Sequence, residues 1–114
     1  MPLLRIQTNI NINDESKKSL LQQSSKLTAS KLGKPEGYVM VVIESSQPML
    51  FGGTDAPLAY LELKSIGLPE NKTSALSKSL CQLMQEQLHI PKDRVYIEFA
   101  NAGGSMWGWN GGTF

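Results

Sequence analysis

The sequence predicts an α/β (more closely α+β) fold: two β-α-β units that form a four-stranded mixed sheet with two helices on one face. Three observations predict it. The first is an internal repeat: Leu20, Leu27, Leu32, Pro35 and Val39 recur 56 positions later as Leu76, Leu83, Leu88, Pro91 and Val95. The second is a pair of helical apolar stripes, each closed by a stop signal. The third is a set of β-branched or alternating runs before and after each stripe. A strand-helix-strand unit joins parallel strands by a right-handed crossover, so two units side by side place both helices on the same face.

The elements follow in order. Leu3 to Ile10 mixes apolar and polar residues and reads as a first strand beginning at or just after Pro2. Asn13 or Asp14 offers an N-cap, with Asp14 and Glu15 suited to the positive end of the helix dipole. Leu20, Leu21, Ser24, Leu27, Lys31 and Leu32 keep a helical period, which Gly33 ends with Pro35 just beyond. Tyr38 to Ile43 is nearly unbroken apolar sequence and predicts a strand buried on both faces. After a loop with Pro48 and Gly52-Gly53, Leu58 to Ile66 reads as a strand ended by Gly67. A second helix is expected from about Asn71 to His89, with Leu76, Leu80, Leu83, Met84 and Leu88 inward and Pro91 as its stop. Arg94 to Phe99 alternates as a strand. The tail, Asn101 to Phe114, is rich in glycine yet holds Trp107, Trp109 and Phe114, which a flexible linker rarely does. It reads as a short hairpin or edge strand docked on another subunit.

Two helices cover one sheet face only. A monomer with an apolar second face would expose a large patch, so neighbouring copies are expected to cover it. The chain of 114 residues suits one domain, residues 1–114, with enough length for a core without disulfides or metal.

Composition excludes several function classes. Eleven basic residues stand against ten acidic ones, without the basic face of a nucleic-acid binder. No apolar run is long enough for a membrane span, and no signal-peptide h-region opens the chain, so a cytoplasmic location is expected. One cysteine, Cys81, forms no internal disulfide and suits the core of the second helix. One Cys and one His make no metal cluster, and no cofactor motif is present.

The chemistry must come from less common groups. Met1 before a small residue is commonly removed, which would leave Pro2 with a free secondary amine. An α-amino group has a pKa of about 8. Burial or a nearby cation lowers that value, so a neutral amine becomes available as a general base near neutrality. From Pro2 alone, the ordinary reading of Met-Pro as the start of an edge strand is the better one.

Further motifs stand in order along the whole chain: Gly33-Lys34-Pro35, Phe51-Gly52-Gly53, Ser65-Ile66-Gly67, Asp93-Arg94-Val95-Tyr96-Ile97, and Gly108-Trp109-Asn110 with Thr113-Phe114. Together with Pro2 they resemble the macrophage migration inhibitory factor family, which includes phenylpyruvate and dopachrome tautomerases. The resemblance implies a homotrimer around a central channel, with sites between subunits and no cofactor. It implies Pro2 as catalytic base, Lys34 on the substrate carboxylate or carbonyl, a donating N–H at Ile66, and Tyr96 supplied by a neighbouring copy. It places Tyr38, Trp109 and Phe114 at the pocket rim.

The sequence departs from human-type members at Glu98, where they have an asparagine that touches substrate, at Lys64 in place of a histidine, and at Trp107 in place of a smaller aliphatic residue. Both cysteines of the mammalian Cys-x-x-Cys motif are replaced within Pro57 to Leu61, which removes thiol exchange there. The implied activity is keto-enol tautomerisation of a small aryl α-keto acid such as phenylpyruvate. The alternative is a cytokine-like binding role through a receptor, with vestigial catalysis; the sequence gives that receptor no specific support.

Overall fold

A computed structural model describes all 114 residues. Its sheet consists of β1 (Leu3–Thr8), β2 (Met40–Glu44), β3 (Ala59–Ile66) and β4 (Val95–Ala102) in the order β2-β1-β3-β4. β1 runs parallel to β2, and β3 runs parallel to β4. The two central strands are antiparallel, with Leu3 opposite Lys64 and Thr8 opposite Ala59. The mixed sheet and the paired β-α-β units are therefore as the sequence predicts.

Helix α1 (Asp14–Leu32) begins at Asn13, whose side chain accepts a hydrogen bond from the Ser16 N–H at 2.8 Å. Helix α2 (Thr73–Leu88) starts later than the predicted Asn71, because a 3-10 turn over Glu70–Lys72 follows Pro69. The two helix ends show the repeat most directly. Gly33 ends α1 at φ 63°, and His89, 56 positions on, ends α2 at φ 56°. Both place left-handed backbone where the chain leaves the helix, although only glycine does so without steric cost. The short 3-10 turns Glu36–Tyr38 and Lys92–Arg94 then lead into β2 and β4.

The 56-residue offset does not hold throughout. Leu4 and Ile6 of β1 are buried, and their counterparts in β3 are Leu61 and Leu63, 57 positions on. The strand-to-helix connection is one residue shorter in the second unit. A 57-residue offset keeps the inward face inward, since a one-residue slip would turn every side chain over.

The core lies between the helices and one sheet face, with Leu4, Ile6, Leu20, Leu61, Leu63 and Met84 nearly or fully inaccessible. Cys81 packs partly buried against it. Leu21, expected on the inner stripe, is instead 38% exposed.

Two expectations need correction. Tyr38 belongs to a 3-10 turn, and the strand starts at Met40. The strand is a sheet edge, and within one chain Met40 is 63% exposed and Val42 37% exposed, on the face that neighbouring copies are expected to cover. The helix-free sheet face is not apolar throughout. At its centre Arg5 donates to Glu44 and to Glu62, the latter at 3.1 Å, and Gln7 also reaches Glu44. The Tyr60 hydroxyl donates to Glu98 at 3.0 Å. Exposed apolar side chains lie instead toward the margins, at Met40, Val42 and Tyr96.

Candidate active site

Pro2 is fully buried, and its carbonyl accepts the Met40 N–H at 3.0 Å. This bond extends the β1–β2 ladder past Leu3 and fixes Pro2 at the floor of a cavity. The cavity measures about 380 Å³, and Pro2, Tyr38, Met40, Trp107, Trp109 and Phe114 are among its lining. That volume suits a small aromatic molecule.

The tail forms the cavity's wall. A 3-10 turn over Gly104–Met106 precedes a hairpin of β5 (Gly108–Trp109) and β6 (Gly112–Thr113). Asn110 and Gly111 both have positive φ, as a two-residue hairpin turn requires. The hairpin turns the Trp109 ring onto Phe114, with centroids 5.3 Å apart and planes 18° apart. Tyr38 meets both edge-on, at 5.9 and 6.4 Å. Trp107 completes the lining. Within its own chain the tail packs against Tyr38.

The electrostatics at the chain start weaken the hold of the Met1 amine on its proton. Burial, and then the positive charge of Lys34, hold the Met1 amine below its ordinary value of 8.0. Lys34 owes its place to the α1 cap, since its N–H donates to Ala29 across Gly33. It is half-buried and does not line the cavity. Ile66 is also half-buried and outside the lining, but it closes β3 at the Pro2 end of the sheet. With Met1 attached, the Pro2 nitrogen is an amide and not a base.

Two expected site residues lie elsewhere. Tyr96 stands in the register row of Tyr60 and Gln7, at the opposite end of the sheet. Continued register puts Pro2 opposite Ser65, five residues from that row. At about 3.3 Å per residue the separation is roughly 17 Å along the strands, with two strand spacings across. Glu98, on the Arg5–Glu62 row, is also remote. Neither reaches the Pro2 cavity of its own chain.

Tyr96 has a different neighbourhood. It is 66% exposed and packs on Phe51 with ring centroids 4.6 Å apart. With Met49, Leu50, Leu58 and Tyr60 these rings border a second cavity of about 270 Å³. Beside Glu98, the Tyr60 phenol is pushed up to about 12, by burial first and then by its bond to Glu98 and the charge of Glu62. Sequence reasoning missed Met40, Phe51 and Tyr60 as parts of these surroundings. The exposed position of β2 and β4 at the sheet edges, which reveals them, is a property of strand order.

Comparison with known proteins agrees with this geometry. The family model described as macrophage migration inhibitory factor (MIF) matches residues 1–114. The chain belongs to the MIF family. It is 41% identical to the macrophage migration inhibitory factor homolog of Brugia malayi, over 100% of this chain and 99% of that protein. It is 39% identical to macrophage migration inhibitory factor of Xenopus tropicalis, over 100% and 99% of the two chains. The crystal structure of the MIF homologue from Prochlorococcus marinus superposes with a TM-score of 0.93 at 42% identity, covering 98% of each chain. Within the MIF fold the resemblance therefore spans both cavities and the aromatic tail.

Proposed function

We propose that this MIF-family chain is a cofactor-independent tautomerase of aryl α-keto acids such as phenylpyruvate. The observation that carries the reading is a buried Pro2 beneath an aromatic wall, at a chain start where burial and Lys34 disfavour a charged amine. Removal of Met1 converts the Pro2 nitrogen from amide to secondary amine. In its neutral form the amine takes a proton from the carbon beside the keto group. Electrons of that C–H bond become the C=C bond, and the C=O electrons move to oxygen. The Pro2 ammonium then returns the proton to that oxygen, so the keto acid becomes its enol with no net loss of atoms or electrons.

Lys34 faces the developing negative charge, and the Ile66 N–H donates to it. Such preorganised donors are generally the larger contribution, with proton transfer by a positioned base adding about 10²–10⁴-fold. Tyr38, Trp107, Trp109 and Phe114 hold the ring. In this reading three copies assemble, and Tyr96 and Glu98 of one copy complete the Pro2 site of the next. The remoteness of those two residues from their own Pro2 supports that arrangement.

The test is enol–keto interconversion of phenylpyruvate followed across pH, on protein whose start is verified by intact mass. Lowering of the amine's pKa shifts deprotonation to lower pH. The rate should therefore rise with pH through a limb below the amine's ordinary range and level off above it. Turnover that survives acetylation of the Pro2 nitrogen removes Pro2 from the mechanism. Light scattering at one copy of 12.5 kDa rather than three removes the shared site.

The names of the relatives favour a second reading, binding to a receptor as a cytokine does. That reading predicts partner binding that persists when the Pro2 cavity is blocked.

A further inference from the structure

The two arginines of the chain are held in opposite ways. Arg5 is answered by the carboxylates of Glu44 and Glu62. Arg94 has no carboxylate partner. Its Nε donates to the Pro57 carbonyl at 3.0 Å and its Nη1 to Phe51 at 3.2 Å. Its Nη2 donates to Thr54 at 3.2 Å and Ala56 at 3.0 Å. One planar guanidinium thus gathers four carbonyls of a single loop, residues 51–57.

The same guanidinium lies over the Phe51 ring, with Cζ 5.3 Å from its centroid. Phe51 is fixed twice more. It pairs with Thr54 in both directions across the Gly52-Gly53 turn, at 3.0 and 3.2 Å, and its ring packs on Tyr96 at 4.6 Å. Tyr96 is otherwise exposed, on an open edge strand. An exposed ring keeps its rotamer only where a neighbour restricts it.

We propose that Arg94 is a positioning residue for Tyr96: it clamps the 51–57 loop, and the clamped Phe51 fixes the pose of the Tyr96 ring. This rests on the proposed function, in which Tyr96 closes the site of a neighbouring copy. Lysine cannot replace the fork, because a single ammonium point offers three donors without the planar spread that spans four carbonyls.

The test compares the wild type with R94K, Y96A and the double variant, all on the intact chain with phenylpyruvate. R94K should raise KM about ten-fold, with kcat and the low-pH limb of the rate close to wild type, the pattern of lost substrate binding. Added to Y96A it should raise KM no further, because the ring it positions is gone. An unchanged KM in folded R94K overturns the proposal, as do KM effects that multiply in the double variant. If R94K fails to fold, F51A carries the same test, since it breaks the relay and leaves the guanidinium in place. If the wild type shows no enolisation, the functional reading fails separately. The positioning is then read from the Tyr96 ring proton resonances. Their shift by the Phe51 ring current should collapse in R94K, and an unmoved resonance overturns the proposal.

Discussion

The two cavities are copies of one design with different chemistry. In the first, Met1, Pro2, Leu3 and Met40 form the floor. In the second, Leu58, Ala59, Tyr60 and Tyr96 hold the corresponding positions. Each is lined in part by residues next to a two-residue turn with positive φ, Asn110-Gly111 for one and Gly52-Gly53 for the other. Each turn carries an aromatic residue just before it, Trp109 against Tyr38 and Phe51 against Tyr96. Where the first has Tyr38, the second has Arg94, at the same place in its 3-10 turn. The decisive difference is the floor. Ala59 has a mid-chain peptide nitrogen, whose lone pair is delocalised and does not act as a base. Only the cavity at the chain start can expose an amine. A repeated backbone therefore supplies two recesses, and in the proposed function covalent position lets only one of them do proton transfer.

The largest test of that contrast acts on the nitrogen. Leaving Met1 attached, or acetylating Pro2, should lower kcat/KM for phenylpyruvate by at least about 10²-fold. Ala59→Gly should leave kcat/KM within about two-fold and cost about 0.5–1 kcal/mol of stability by chemical denaturation. Loss of turnover in that variant, with the fold intact, would erase the distinction between the floors.

The walls should separate next. Tyr38→Ala removes the ring that meets Trp109 and Phe114 edge-on, and should raise KM several-fold with a small change in kcat, measured by steady-state kinetics. Aromatic pairs of this kind are worth about 0.5–1.5 kcal/mol each, so a modest drop in Tm should accompany it.

A smaller effect is expected at the helix ends. His89 adopts left-handed backbone that costs a side-chain-bearing residue about 1–2 kcal/mol, offset in glycine by greater freedom in the unfolded chain. His89→Gly should therefore stabilise the protein by several tenths of a kcal/mol to about 1. Gly33→Ala, at the matching end of α1, should destabilise it by about as much. Urea midpoints at fixed pH check both, and the same sign for the two would show that the caps are not equivalent.

The smallest effect is alkaline. Tyr60 ordinarily titrates at 10.0 and is pushed up to about 12 in the fold. A raised pKa means that the folded state holds its proton more tightly. The associated stability is full below pH 10 and is lost as pH climbs through about 12. Tyr60→Phe should flatten that part of the stability-against-pH curve relative to wild type. An identical alkaline slope in the two proteins would show that the hydrogen bond to Glu98 does not couple to folding.

The sequence was informative wherever the physical signal is local. Asn13 and Gly33 announce the ends of α1 because capping satisfies nearby backbone groups. The spacing of Leu76, Leu80, Leu83 and Leu88 announces α2 because one stripe must face the core. Pro2, Lys34 and the tail aromatics stood out as candidates through chemistry and family resemblance. Their gathering in one site was implied by the resemblance alone; local patterns do not carry it, because β1 and β2 meet only after α1 has crossed back.

By itself, then, the sequence determined the two units, their helices and the special nitrogen that processing of Met1 would release. Tertiary structure alone decided strand order, and with it which apolar run became an edge. The run from Met40 to Ile43 reads as a strand from its residues; the antiparallel pairing of β1 with β3 makes it the outermost one of the chain. The same pairing separates Tyr96 from Pro2. Hydrophobic patterning records which face of a strand seeks cover; it does not record which neighbour supplies it.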